Sequence, residues 1–266
     1  NPLTNGTVTA EGFVEGQGAT YKVTGTITNV GEKANAFAYT LNEGTNADNY
    51  NITKTEGTLK VTPITDQVTV TITGNTGSVK YDGDSHEVTG YTTSFSNALY
   101  TANDFEFNGT AEASRTDAGQ TNMGLAAEQF TNTSANFTNV EFVVTDGYSK
   151  VNKRTVTLTS ASDEKVYDGN ALTKKKVTES EDGFAKGEGA TYDVTGSQTN
   201  VDSSKNTFTY TLNEGTNADN YEITKTEGTL KVTPITNQVT VTITGNTGSV
   251  KYDGDSHEVT GYTTSF

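Results

Sequence analysis

The sequence predicts an all-β protein made of tandem small β-sandwich modules strung into an elongated rod. Three observations carry that expectation. Apolar residues fall at every second position in short runs, the period of a half-buried strand: Val68, Val70 and Ile72 alternate with threonines, as do Phe208, Tyr210 and Leu212. The runs are filled by Thr, Val, Tyr and Phe, which fit a pleated surface. The chain also repeats itself. Residues 37–95 and 208–266 match at a constant offset of 171 and differ only at Ala38/Thr209, Asn51/Glu222 and Asp66/Asn237.

Inside the long unit lies a fainter repeat of half the length, marked by Tyr-Asp-Gly at 81–83, 167–169 and 252–254. A strand is predicted before each mark, with Val70-Thr71-Ile72 standing where Val156-Thr157-Leu158 stand later. After it comes a Thr-x-x-Gly or Thr-x-x-Asp turn and an Asn: Thr28 to Gly31 then Asn35, Thr116 to Gly119 then Asn122, Thr199 to Asp202 then Asn206. Each module closes on a last strand, at Gly57–Val61, Gly147–Val151 and Gly228–Val232. The expected organisation is therefore an incomplete type A module over 1–65, lacking its opening strand; a type B module over 66–152; a type A module over 153–236; and the opening part of a further type B module over 237–266. Pro63 and Pro234 sit in the short links. Each fixes one dihedral and removes a donor, which limits bending and stray strand pairing. A β-grasp-like module is the alternative to the sandwich. The one helical candidate, Leu125 to Phe130, is too short to favour it.

Composition narrows the partners. A net charge of −15 and a pI near 4.5 repel phosphate backbones and anionic headgroups, so neither nucleic acid nor a membrane surface is expected. No run approaches 18 consecutive apolar residues, so no membrane insertion is expected in this segment. Val, Phe, Leu and Ile make up only about a fifth of the chain, a level that alone permits disorder; their strict alternation argues for folding. Cys is absent, which fits either the cytosol or an exported protein stabilised by other means.

The strand followed by Tyr-Asp-Gly, the Thr-x-x-Gly turn with its later Asn, and the Asn-Tyr to Gly-Thr-Leu-Lys-Val endings at 49–61 and 220–232 resemble the tandem YDG and MBG type repeats of large bacterial cell-surface proteins. The resemblance covers essentially the whole chain. Module 66–152 departs from the pattern at Asn136-Phe137, with a longer stretch before Gly147 and Tyr148-Ser149 in place of Thr-Leu. The resemblance implies a secreted or wall-anchored adhesin-like protein at the bacterial cell surface, whose repeats serve as a stalk or as adhesive modules. Neighbouring repeats of the same chain, and host glycans or mucin, are the partners it suggests. No catalytic residues come with it.

The residues themselves offer little chemistry. His86 and His257 occupy one repeat position, and no nucleophile elbow, zinc-protease helix, phosphate loop or dinucleotide fingerprint is present. No enzyme activity and no cofactor are expected. Asp82, Asp84 and His86, with Glu87, come nearest to a metal site, since alternate carboxylates can converge on a hard cation; a polar turn after a tight bend explains them as well. Calcium between modules would suit an acidic chain, but no residue pattern marks it. The Tyr81-Asp82-Gly83, Tyr167-Asp168-Gly169 and Tyr252-Asp253-Gly254 motifs read as structural turns, with Gly supplying positive φ and Tyr an apolar body and a hydroxyl to satisfy. Glu179, Glu181 and Asp182 read as a solvated loop. By analogy with other adhesin domains, Lys80 or Lys165 could join Asn35, Asn122 or Asn206 in an amide cross-link. Tyr91, Phe95, Tyr100, Phe105 and Phe107 are denser than one strand face needs, which makes them the candidate ligand surface. The functional expectation is the structural stalk of a surface adhesin, with a carbohydrate- or mucin-binding repeat as the alternative.

Overall fold

The computed structural model describes residues 1–266 and is built of strands joined by short turns. The chain separates into two compact units. One comprises Asn1–Val79 with Asp84–Asn152, the other Lys80–Gly83 with Lys153–Phe266.

The first unit begins with β1 (Ala19–Val23), β2 (Gly31–Asn35), β3 (Phe37–Leu41) and β4 (Gly57–Val61). These make two antiparallel ladders, β1 with β3 and β2 with β4. Residues 1–65 do not stand apart from the following module, for Ile64 bridges in parallel to Phe137 and the Asn136 side chain accepts the Val30 N–H at 2.8 Å. Then come β5 (Val68–Gly74), β6 (Thr76–Lys80), β7 (His86–Thr89), β8 (Tyr91–Phe95), β9 (Phe105–Phe107), β10 (Glu112–Arg115), β11 (Gly119–Asn122), β12 (Phe130–Asn132), β13 (Val140–Thr145) and β14 (Tyr148–Asn152).

Strand β5 is central. It pairs antiparallel with β8 and parallel with β13, and its Val68, Val70 and Ile72 are buried while the threonines between them are not. The β9–β12 ribbon lays Phe105 and Phe130 over that face, and Tyr100 and Phe137 complete the core. A second sheet, β11–β14–β6, and the β7–β10 ladder flank a smaller cluster of Ala113, Met123 and Leu125. Gly74 and Gly147 let the two sheets meet: a Cβ on Gly74 would lie 2.2 Å from the Gly147 nitrogen.

The second unit repeats this plan with β15 (Arg154–Ser160), β16 (Asp163–Val166), β17 (Val177–Glu179), β18 (Ala190–Val194), β19 (Asp202–Lys205), β20 (Phe208–Leu212), β21 (Tyr221–Thr226) and β22 (Thr229–Thr233). Again the opening strand is central, with β17 antiparallel on one side and β21 parallel on the other. Strand β22 lies between β16, parallel, and β19, antiparallel. The apolar set is the one the alternation marks: Val156, Leu158, Leu230 and Val232 are buried. The unit ends on a lone ladder of β23 (Thr242–Gly245) and β24 (Tyr262–Ser265), paired in the register of β5 with β8.

All-β architecture is thus the observed fold, with sheets stacked on an alternating apolar face. The parallel pairs are not part of a simple meander. They recur between the opening strand and the next-to-last strand of both complete modules, β5 with β13 and β15 with β21, a pairing that the β-grasp-like alternative shares. That alternative also calls for a helix, and the structure holds only three-residue 3-10 turns, one of them at Ala127–Gln129 within the predicted helical stretch. No helix is long and apolar enough to cross a membrane.

Candidate functional site

The five aromatic residues expected to form a ligand surface lie in the core instead. Tyr100 and Phe105 are buried, and Tyr91, Phe95 and Phe107 pack against the same cluster. Tyr91 sits edge-on to Phe107 and Phe130 at 5.2 and 5.4 Å between ring centres, and Tyr100 to Phe137 at 5.0 Å. The Tyr100 hydroxyl bonds the Asp104 carbonyl at 3.1 Å and the Asn132 side chain at 3.0 Å. Their density has a plain cause: β9 and β12 form a covering ribbon that needs rings on its inner face, which buries Tyr100 and Phe105 and leaves Tyr91, Phe95 and Phe107 half-buried. Burial, helped by the nearby Asp104 carboxylate, pushes the Tyr100 phenol up to about 12. A phenol raised in the fold holds its proton more tightly than in the unfolded chain, so its contribution is whole below pH ~10 and is lost as pH rises towards 12. Thermal unfolding midpoints should therefore be flat from neutral to about pH 10 and fall beyond it. Tyr100→Phe, which cannot ionise, should show a shallower fall.

The residues nearest to a metal site do not converge. No three His, Asp or Glu side chains are grouped to hold an ion. His86 opens β7 opposite Arg115, Glu87 lies opposite Ser114, and the His86 carbonyl accepts the Ser149 hydroxyl. The Tyr-Asp-Gly motif is a turn in all three places: Gly83, Gly169 and Gly254 have φ of 90°, 80° and 88°. Where the Asp partners are clear, the carboxylate caps that turn. Asp168 accepts the Asn170 N–H at 2.9 Å and the Lys165 ammonium at 2.6 Å. Asp253 accepts the Asp255 N–H at 3.1 Å and is 2.8 Å from His257. The Lys165 bond holds Asp168 below the usual carboxylate range, and the Asp255 N–H does so for Asp253.

Nor do the lysines reach asparagine side chains. Lys80 pairs with Asp182 at 2.7 Å, and Lys165 is taken by Asp168 and the Asn170 carbonyl. Asn122 is exposed and accepts from Gln120, whereas Asn206 is wholly buried and donates to the Ala161 and Lys174 carbonyls at 2.8 and 2.9 Å. Its Oδ1 has no hydrogen-bond partner and lies 2.3 Å from where a Cβ on Gly196 would sit. Asn35 and Gly25 repeat the arrangement, with 2.4 Å in place of 2.3 Å. These asparagines tie loops to strands, and the facing glycines make room for them.

The most elaborate side-chain constellation surrounds the first Tyr-Asp-Gly turn, within the second unit. Glu188 accepts the Tyr81 hydroxyl on Oε1 at 2.5 Å and the Tyr221 hydroxyl on Oε2 at 2.7 Å, so one carboxylate serves two phenols. The two rings meet edge to face at 5.5 Å, and Phe184 closes on Tyr221 at 5.0 Å. The Ala185 N–H donates to the Tyr221 oxygen. Burial, and then the bond to Glu188, push the Tyr221 phenol above its ordinary value. Around the rim, Lys80 pairs with Asp182, and Arg154 donates to the carbonyls of Tyr81, Asp182 and Gly183. Of the acidic run expected to be solvated, Asp182 binds Lys80 and Glu179 accepts the Tyr192 hydroxyl. Glu188 and Arg154 carry no motif of their own in the sequence, whereas Tyr221 belongs to the Asn-Tyr ending at 220–232. A signal lay in the long repeat, which sets Gln17 and Tyr50 at the matching places.

Comparison with family models, curated proteins and solved structures finds no match for the chain.

Proposed function

We propose that the chain is part of the structural repeat region, or stalk, of a bacterial surface adhesin, and that its modules project or support attachment rather than perform it. The observation that carries this reading is the near-identical 59-residue repeat. A module copied with three changes adds length without needing a new site, and its alternate residues are spent on core and on Thr-rich outer faces. The Tyr-Asp-Gly turn supports the same view, because Lys80–Gly83 of the first complete module's sequence are built into the fold of the second unit. Consecutive repeats are thereby joined by more than a peptide link. The acidic charge of −15 keeps such a stalk soluble and apart from anionic surfaces.

The alternative is a carbohydrate- or mucin-binding repeat; of its five candidate residues Tyr100 and Phe105 are buried and Tyr91, Phe95 and Phe107 half-buried, which supports the stalk reading over it. The test is two-armed. Antibody against the chain should label intact, unpermeabilised cells that make it, and labelling only after lysis would sink the surface assignment. The chain itself should show no saturable binding to immobilised mucin or a glycan array; saturable binding would make the repeats adhesive in their own right.

A further inference from the structure

The Tyr81 socket exists twice in this chain, and residues 1–266 supply a turn to only one of the two. At an offset of 171, Glu11-Gly12-Phe13-Val14-Glu15-Gly16-Gln17 matches Asp182-Gly183-Phe184-Ala185-Lys186-Gly187-Glu188, and Tyr50 matches Tyr221. The match extends to geometry. Gly12 and Gly16 have positive φ, as do Gly183 and Gly187. The Val14 N–H donates to the Tyr50 oxygen as Ala185 does to Tyr221. Phe13 meets Tyr50 at 5.0 Å, the separation of Phe184 from Tyr221. Gln17 accepts the Tyr50 hydroxyl at 2.5 Å, in the role of Glu188, and its N–H donates to the Val14 carbonyl at 3.0 Å, as Glu188 does to Ala185. A cleft of about 440 Å³, lined by Tyr21, Phe37 and Ile52 among others, reaches the rim of this socket at Glu11, Gly12, Phe13 and Tyr50 but does not include Gln17.

The plug exists twice as well. Ser78-Val79-Lys80-Tyr81-Asp82-Gly83 recurs without change as Ser249-Val250-Lys251-Tyr252-Asp253-Gly254. Tyr81 is 4% exposed and Tyr252 98%. The second turn already has the required backbone, with Gly254 at φ 88° against 90° for Gly83.

We infer that the Lys251–Gly254 turn of one copy of this chain docks into the socket formed by Glu11–Gln17 and Tyr50 of a second copy, reproducing between molecules the lock seen at Tyr81. The pairing is complementary in detail. Lys251 meets Glu11 as Lys80 meets Asp182. The Gln17 side-chain N–H donates to the Tyr252 oxygen while its carbonyl keeps the Tyr50 hydroxyl, so both phenol oxygens are held without a buried charge. Tyr252 gains an edge-to-face partner in Tyr50, an arrangement worth more than its area alone. The inference stands whether or not the surface assignment holds.

A water-soluble carbodiimide, which joins a lysine to a carboxylate in contact with it, tests this with a control inside the molecule. Equal parts of 15N-labelled and unlabelled chain are cross-linked over a dilution series up to about 1 mM, the effective concentration that a short tether supplies. The Lys80–Asp182 link should appear within single chains at every dilution. The Lys251–Glu11 link should appear with mixed isotopes, grow with concentration, and drop by about tenfold or more in Tyr252→Ala, a change at an exposed ring that leaves both units intact. The inference is overturned if Lys80–Asp182 forms without any Lys251–Glu11 link, if that link is confined to single chains, or if Tyr252→Ala leaves its yield unchanged.

Discussion

Asn206→Asp should cost about 3–5 kcal/mol at neutral pH, a large share of what a domain of this size has to lose. The side chain is wholly buried, and its amide supplies two N–H bonds, to the Ala161 and Lys174 carbonyls. A carboxylate in its place would lose both donors and set a negative charge against two carbonyl oxygens with no cation to receive it. The cost has a definite pH dependence. Burial raises the folded-state pKa of such an Asp above its unfolded value near 4, so the variant is relatively better off below about pH 4 and loses stability as pH rises from there. Urea midpoints at pH 7 and pH 4 check both points: the deficit against the parent chain should be large at 7 and smaller at 4. Equal midpoints at pH 7 would show that the buried amide is not holding the strands. Asn35→Asp should cost less, because Asn35 is a little exposed and makes one such bond, to the Asn5 carbonyl.

The second large effect comes with its own control. Ile72 and Ile243 occupy one repeat position in identical surroundings of sequence, yet Ile72 is 0% exposed and Ile243 67%. Ile72→Ala should lower stability by about 2–5 kcal/mol, the cost of lost burial together with the cavity left between β5 and the Phe105 and Phe130 rings. Ile243→Ala should stay within about 0.5 kcal/mol. Denaturant midpoints for the two variants, measured side by side, separate what the tertiary environment contributes from what the local sequence contributes. Equal effects would mean that the two copies are equally packed.

That same comparison explains how far the sequence could be read. Alternation identified β5, β13, β15, β20 and β22, because a half-buried strand must write its period into the residues. The repeat led to modules expected at 1–65, 66–152, 153–236 and 237–266, whereas the compact units are Asn1–Val79 with Asp84–Asn152 and Lys80–Gly83 with Lys153–Phe266. Neither could reveal that Tyr50 to Thr55 would lack a ladder while Tyr221 to Thr226 form β21, for the two segments differ only at Asn51/Glu222. What separates them is β15, the parallel partner of β21, which has no counterpart beside the first copy. Strand formation there depends on a neighbour and not on propensity. The candidate site was legible in part. The Tyr-Asp-Gly turns were visible as turns, since positive φ selects Gly. Of the five rings expected at a surface, Tyr100 and Phe105 are core and Tyr91, Phe95 and Phe107 pack half-buried against it, because alternation marks which residues share a face but not whether another ribbon covers it. Glu188 went unnoticed because a carboxylate between two phenols leaves no local pattern.

The parallel pairing of a module's first two strands with its last two bears on how it responds to tension. In the second unit the chain enters at β15 and leaves after β22, and β16 runs alongside β22 in the same direction. Pulling at entry drags β15 lengthwise along β21, and pulling at exit drags β22 along β16, so the hydrogen bonds of each ladder are loaded together, where a hairpin pulled at its open end would release them one at a time. The Asp163–Leu230 to Val166–Thr233 ladder, together with β21 against β15, places a clamp between the two ends of the module. A repeat so connected resists extension without a disulfide, in a chain that has no cysteine.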